Sequence, residues 1–231
     1  MLDTSRFDLV RVLSVQSLFA EIDPSDLYRL AQGSQLRRYA RGEIIVRQSD
    51  ACEALHIVLT GQVKLYVVSR AGQEKVVELV APGGSFCESL LFQQPACLAT
   101  AQATSDTLLL SVQRATVLEE IQQSTGLALR MLGVLSRRLN GLMSELQAQS
   151  LKSGRERVAD YLLRCAREQG AAQERAVVDL PASKATVASL LAITPEYFSR
   201  VLTEFVQEGL ITVERRAITL LDKSRLETCE A

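Results

Sequence analysis

Histidine occurs once in these 231 residues, and the five cysteines never form a CxxC pair. One histidine, His56, leaves no histidine-based catalytic dyad. The chain also has no phosphate-cradling glycine loop and no metal-ligand spacing, so nothing supports an enzymatic reading. No apolar run approaches the length that spans a bilayer, and the N-terminus lacks the charged-then-apolar pattern of a secretory leader. A surplus of either charge is missing too, with 26 Lys+Arg against 27 Asp+Glu. Residues 151–231 carry 12 of each sign, which leaves little non-specific attraction for a polyanion. Cys52, Cys87, Cys97, Cys165 and Cys229 are odd in number and dispersed, as expected in a reducing cytoplasm, where each is read first as a small buried hydrophobe.

What is present is a 47% hydrophobic chain, enough for a core split between two domains. Leu9–Phe19 has a short helical pattern, and Asp23-Pro24-Ser25-Asp26 opens a second helix through Leu30. From Arg37 to Val112 the texture is β-rich and punctuated by Gly42, Gly61, Gly72, Gly83 and Gly84. Leu55, Ile57, Leu59, Val63, Leu65 and Val67 alternate with His56, Thr60, Gln62, Lys64 and Tyr66, a period of two that predicts a roll or barrel with the second set on its polar face. Ala128, Leu132, Leu135, Leu139, Leu142 and Leu146 then recur at steps of four and three. This a/d seam predicts a long helix over 124–151 that pairs with a second copy, with Arg137, Arg138 and Glu145 wet. Lys152-Ser153-Gly154 reads as a hinge into a helix over Glu156–Glu168.

Local chemistry is most specific between Leu180 and Leu221. Ser183–Leu191 reads as a short helix, and Ala192-Ile193 leaves room only for a tight turn. Thr194 can cap a second helix, Pro195 suits its first turn, and Glu196 favours its positive end. Phe198, Val201, Leu202 and Phe205 share one face of it; Glu196, Ser199, Arg200 and Thr203 share the other. This is a helix-turn-helix pattern, whose second helix enters the DNA major groove. Arg200 can donate twice to a guanine, Glu196 can accept from cytosine N4, and Ser199 is adaptable. Leu210–Val213 and Ala217–Leu221 read as a two-stranded wing with Arg215 and Arg216 at its tip, lacking the usual glycine. Ser183, Lys184, Arg215 and Arg216 are the candidate backbone contacts.

Gly61-Gln62-Val63, Ser136-Arg137-Arg138-Leu139 and Glu196-x-x-Ser199-Arg200 together resemble the cyclic-AMP receptor protein/fumarate-nitrate regulator (CRP/FNR) superfamily over essentially the whole chain. The resemblance implies an α+β fold: an N-terminal β-roll sensor domain over 1–123, a dimerisation helix over 124–151 and a C-terminal winged helix-turn-helix domain over 152–231. It implies a cytoplasmic homodimeric transcription regulator that binds double-stranded DNA and works with RNA polymerase. Glu-x-x-Ser-Arg is similar to the FNR branch, which reads TTGAT-N4-ATCAA sites. Leu180-Pro181 and Thr194–Arg200 look most like the dissimilatory nitrate respiration regulator (DNR) group, which activates denitrification genes in response to nitric oxide. An effector between roll and long helix would shift the pose of the winged helices.

The effector is less legible. Cys87-Glu88 stands in place of the Gly-Glu pair that the cyclic-AMP branch uses, Leu98-Ala99-Thr100 in place of its Arg-Ser pair, and Leu142 and Met143 in place of its polar adenine contacts. Cyclic AMP is therefore disfavoured, with no guanidinium left for its phosphate. No cysteine precedes Cys52, so the N-terminal iron–sulfur cluster of FNR is not expected. Haem needs an axial ligand; Cys87 and His56 are the candidates, although Ser89 replaces the histidine of the carbon-monoxide-sensing branch. Thiol redox between Cys87 and Cys97, effector-independent activity, and a degenerate helix-turn-helix acting through protein contacts stay open.

Overall fold

The computed structural model describes residues 8–20, 22–92, 96–170 and 175–228. Cys229 lies outside them. The chain forms two compact units, Met1–Asn140 and Gly141–Ala231.

The first unit begins with α1 (Leu9–Ser14), which Asp8 caps by accepting from the Arg11 amide. A 3-10 turn at Ser17–Phe19 breaks the single helix expected over Leu9–Phe19. α2 (Pro24–Gln32) follows with proline in its first turn. Eight strands build the roll: β1 (Ser34–Tyr39), β2 (Ile44–Val46), β3 (Ala54–Thr60), β4 (Val63–Val68), β5 (Glu74–Val80), β6 (Ser85–Phe86), β7 (Thr100–Ala103) and β8 (Thr107–Gln113), with a short α3 (Ser89–Phe92) between β6 and β7. They form two antiparallel sheets, ordered β1-β8-β3-β6 and β2-β7-β4-β5. After β8 come α4 (Arg114–Gln123), which the sequence reading missed, and the 27-residue α5 (Thr125–Leu151).

The first sheet is covered on both faces. Leu55, Ile57, Leu110 and Val112 pack on a helical layer that includes Leu13, Phe19, Leu30, Val117, Leu127 and Met131. Val58 and Leu109, one residue out of phase with those, face the roll interior with Val63, Val80, Phe86 and Ala101. Alternation along β3 therefore separates two buried faces, and His56 is buried. This corrects the polar-face reading. Gln62 and Tyr66 are buried as well, and β4 changes phase at a register shift between Leu65 and Tyr66. The chain passes from one sheet to the other at Gly61, where φ is +81° and a Cβ would lie 2.4 Å from the Asp106 carbonyl.

The second unit comprises α6 (Gly154–Glu168), β9 (Ala176–Asp179), α7 (Lys184–Leu190), α8 (Pro195–Gln207), β10 (Ile211–Glu214), β11 (Ala217–Leu220) and α9 (Lys223–Glu227). Ser153 and Glu156 form a capping box that starts α6. Gly154 is needed there for close packing, since a Cβ would meet Tyr197 at 2.6 Å. The expected two-stranded wing is the edge of a three-stranded sheet, with β9 pairing β11. No helix among the described residues is long and apolar enough to cross a membrane.

α7 and α8 end the same way with different residues. At the end of α7 the Ile193 amide donates to Ala188 and the Ala192 amide to Ser189; at the end of α8 Leu210 donates to Phe205 and Gly209 to Val206. Both are Schellman closures, which place the residue after the cap in the left-handed region. Gly209 adopts φ +71° freely, whereas Ala192 is held at φ +54°, a conformation costing about 1–2 kcal/mol for a residue with a Cβ. Ala192→Gly should therefore raise the stability of the second unit by about 0.5–1 kcal/mol, after the larger unfolded-state entropy of glycine is deducted. Gly61→Ala should lower that of the first by about 1–3 kcal/mol. Thermal unfolding of the whole chain reads both, and a lower midpoint for Ala192→Gly would contradict the strain.

Candidate functional site

Two parts of the molecule concentrate functional chemistry. The first is α8. Thr194 accepts from the Tyr197 amide at 3.2 Å and Pro195 opens the helix. Phe198, Val201, Leu202 and Phe205 are buried, while Glu196, Ser199, Arg200 and Thr203 are exposed on the opposite face. Arg155 anchors the far end, its guanidinium 4.7 Å from the centre of the Phe205 ring and 2.7 Å from Glu208. The Arg200 side chain is 64% exposed, with Glu204 at 3.7 Å, and its guanidinium lies 4.7 Å from the centre of the Tyr197 ring. Packing on an aromatic face restricts a long side chain without burying its donors.

Ser183 caps α7, accepting from the Thr186 amide at 3.1 Å, and Lys184 follows as the first residue of that helix. Arg215 and Arg216 form the two-residue loop between β10 and β11, with Glu214 paired to Ala217 across it. Arg215 takes φ +56°, so the hairpin closes without the usual glycine. Such strain persists where the surroundings over-determine it.

The second part is inside the roll. His56 on β3 is paired in register with Ser111 on β8 and Phe86 on β6. Its Nδ1 is 2.9 Å from Ser111 Oγ, its Nε2 is 3.5 Å from Cys52 Sγ, and its ring stacks on Phe86 at 5.0 Å. Cys87 follows Phe86 with φ +72°. The donor atoms of Cys52, His56 and Cys87 all lie within 4.8 Å of one another, and Cys97 packs on Cys52 and Cys87. The expectation that the chain holds no metal-ligand cluster is thereby overturned. Cys52 joins a group for which the sequence offered Cys87 and His56 as ligands and Cys87 with Cys97 as neighbouring thiols. The Cys87 hydrogen bond lowers the Cys52 thiol to about 4, with His56 adding to this and burial opposing it. The same contact, with Cys97 and burial, pushes the Cys87 thiol up. Cys165 is buried elsewhere, in α6.

Beside Cys87, Glu88 is 3% exposed. It accepts from Ser85 Oγ at 2.5 Å and from Arg138 Nη1 at 2.8 Å. Arg138 also pairs with Glu78 and donates to the Ser85 carbonyl. Burial works against the Arg138 charge, but Glu88 and Glu78 outweigh it and hold the guanidinium above its ordinary pKa. Arg138 is thus not a wet flank of α5, and Glu88 does have a guanidinium partner. Of the four effector-pocket candidates, Cys87 and Glu88 stand together here. Leu142 and Met143 are exposed on the stretch of α5 that belongs to the second unit. Leu132, Leu139 and Leu146 are exposed too, and Leu135 is half-buried.

The pair yields a stability test. Arg138→Met strands a buried carboxylate and should destabilise the first unit by about 3 kcal/mol. Adding Glu88→Gln should restore much of the loss, as read by urea unfolding. Additive losses would show that the two groups are not coupled.

Residues 36–124 match the cyclic nucleotide-binding domain family and residues 156–229 the Crp-like helix-turn-helix domain family. The cyclic AMP receptor protein of Thermus thermophilus is 32% identical over 211 residues, 89% of this chain and 95% of that one. The crystal structure of DNR from Pseudomonas aeruginosa is 35% identical, covers 95% of this chain and 96% of its own, and has a TM-score of 0.50. FixK2 from Bradyrhizobium japonicum, 24% identical, covers 86% and 98% with a TM-score of 0.77 and shares the fold. With a β-roll, a long helix and a helix-turn-helix whose second helix leaves one polar face open, this chain belongs to the CRP/FNR family of transcription regulators.

Proposed function

We propose that the protein is a cytoplasmic homodimeric regulator that reads TTGAT-N4-ATCAA-type palindromes and, with RNA polymerase, activates genes of nitrogen-oxide or anaerobic respiration. The observation that carries this reading is the division of α8 into a buried apolar face and an open face bearing Glu196, Ser199 and Arg200. Those three side chains are the donors and acceptors that direct readout uses: Arg200 to guanine O6 and N7, Glu196 from cytosine N4, Ser199 adaptably. Thr194 and Pro195 set the start of the helix. Ser183, Lys184, Arg215 and Arg216 position the phosphate backbone. The Glu-x-x-Ser-Arg spacing and the similarity to DNR support the choice of site and of gene class.

Dimerisation rests on α5. Leu132, Leu139, Leu142 and Leu146 are large, apolar and exposed at seam spacing, which is the surface a parallel helix pair would cover. Two copies then offer two α8 helices to successive major-groove turns.

The effector is a separate matter. A haem iron ligated by His56 or Cys87 needs the porphyrin plane to pass between that donor and its neighbours. Here the His56 ring is stacked on Phe86, and the thiols of Cys52 and Cys87 stand directly against its Nε2, where the porphyrin would have to lie. The residues as folded do not fit haem. Cyclic AMP would have to compete with Arg138 for Glu88.

Binding to a labelled TTGAT-N4-ATCAA duplex, with salt titration, tests the proposal. Arg200→Ala should cost about 1–3 kcal/mol on the intact site and relax discrimination at one guanine. Arg215→Ala should weaken all sequences alike and reduce the salt slope by about 1. Equal loss for Arg200→Ala on every base variant would remove the base-reading role. Leu139→Arg should shift the protein from dimer to monomer in sedimentation; an unchanged dimer would place the interface elsewhere.

A further inference from the structure

We infer that Cys52, His56 and Cys87, with Cys97 beside them, form a binding site for a single thiophilic metal ion of the Zn2+ class inside the roll.

Convergence is the first argument. Two sulfurs and a ring nitrogen, Cys52 and His56 from just before and within β3 and Cys87 from the end of β6, lie within 4.8 Å of one another. A tetrahedral ion at about 2.3 Å from sulfur and about 2.0–2.1 Å from nitrogen sets its S···N edge at ~3.5 Å. The Cys52 Sγ to His56 Nε2 separation is 3.5 Å. Donors this close surround one ion; the cysteines of an iron–sulfur cluster are spread around several irons.

Orientation is the second. His56 Nδ1 lies 2.9 Å from Ser111 Oγ; the tautomer with its proton on Nδ1 donates there and turns the Nε2 lone pair to the thiols, which is how metal-binding histidines are held by an outer partner. Cys87 sits in the left-handed region, a backbone state that a non-glycine residue keeps only under local constraint. Cys97 offers a third sulfur beside the imidazole: the Ser49 amide donates to its carbonyl at 2.7 Å, and its own amide donates to the Asp50 carbonyl at 2.9 Å. Both contacts tie it to the segment leading into Cys52.

Chemistry is the third. Three thiols with one imidazole suit zinc-like ions better than hard, oxygen-seeking ones. Val46 and Phe86 close the surroundings with apolar groups. Simple burial accounts for a cysteine but not for the only histidine of the chain, placed with its Nε2 against a thiol.

The full-length protein, reduced and freed of metal by a chelator, is titrated anaerobically with Co2+. The expected result is one equivalent bound, with a sulfur-to-cobalt charge-transfer band and the visible bands of a tetrahedral ion, all lost on adding Zn2+. Cys52→Ser and Cys87→Ser should each lower the charge-transfer intensity, and Cys165→Ser should leave it unchanged. Ser111→Ala, which removes no ligand and little volume, should weaken binding about 10–100-fold; it decides the matter if a cysteine variant fails to fold. The absence of a saturable band, or one indifferent to Cys52→Ser, Cys87→Ser and Ser111→Ala, would overturn the site. So would a Cys52–Cys87 or Cys87–Cys97 disulfide in protein that takes up no metal after reduction. This readout involves no DNA, so a failed duplex titration would leave it standing.

Discussion

Glu88 is a carboxylate placed where water scarcely reaches, and a buried charge is tolerable only with a partner. Arg138 supplies it from four turns along α5 and gathers Glu78 and the Ser85 carbonyl at the same time. Only Leu127 and Met131 of α5 are buried. Val134 packs on the same core from the half-buried flank, and beyond it this ion pair ties the helix to the roll at the residue next to Cys87. Leu129, Leu132, Leu139, Leu142, Met143 and Leu146 of α5 stay exposed. One electrostatic contact thus serves as an anchor, while these side chains stay exposed.

The roll depends on a different constraint, the coverage of its first sheet on both faces. β3 and β8 are central in that sheet, so alternation sends Leu55, Ile57, Leu110 and Val112 to the helical layer and Val58 and Leu109 to the interior. A polar residue on the interior face cannot reach water and must find partners. His56 finds them across two strand pairs, with Ser111 on one side and the thiols beyond Phe86 on the other. Cys87 gives up ordinary backbone geometry at that point, and Gly61 provides the close approach that lets the chain change sheets.

In the second unit, stability and recognition are divided by helix face and helix end. α8 buries one side and leaves the other open, and Arg155 holds its far end by stacking on Phe205 and pairing with Glu208. Strain is confined to two positions with a Cβ in the left-handed region, Ala192 at the helix-turn-helix corner and Arg215 at the wing tip. Both flank the polar face of α8 in the chain. A glycine would relieve either, and at Arg215 it would also remove a charge.

What the sequence determined by itself is whatever depends on neighbours three or four residues away. The cap at Thr194, the two faces of α8, the helical period of α5 and the wing strands were legible because helix period, capping and strand propensity are local. The family followed from the same motifs. Tertiary structure decided everything set by strand pairing between distant segments. His56 read as polar because alternation cannot distinguish a face open to water from a second buried face. Arg138 read as wet because its partners lie 50 and 60 residues away in sequence. The third strand of the wing sheet was hidden for the same reason. Cys52 and His56, four residues apart, have no spacing that signals a site; Cys87 meets them because β3 pairs with β6, and register, not sequence separation, brings that side chain to its partners.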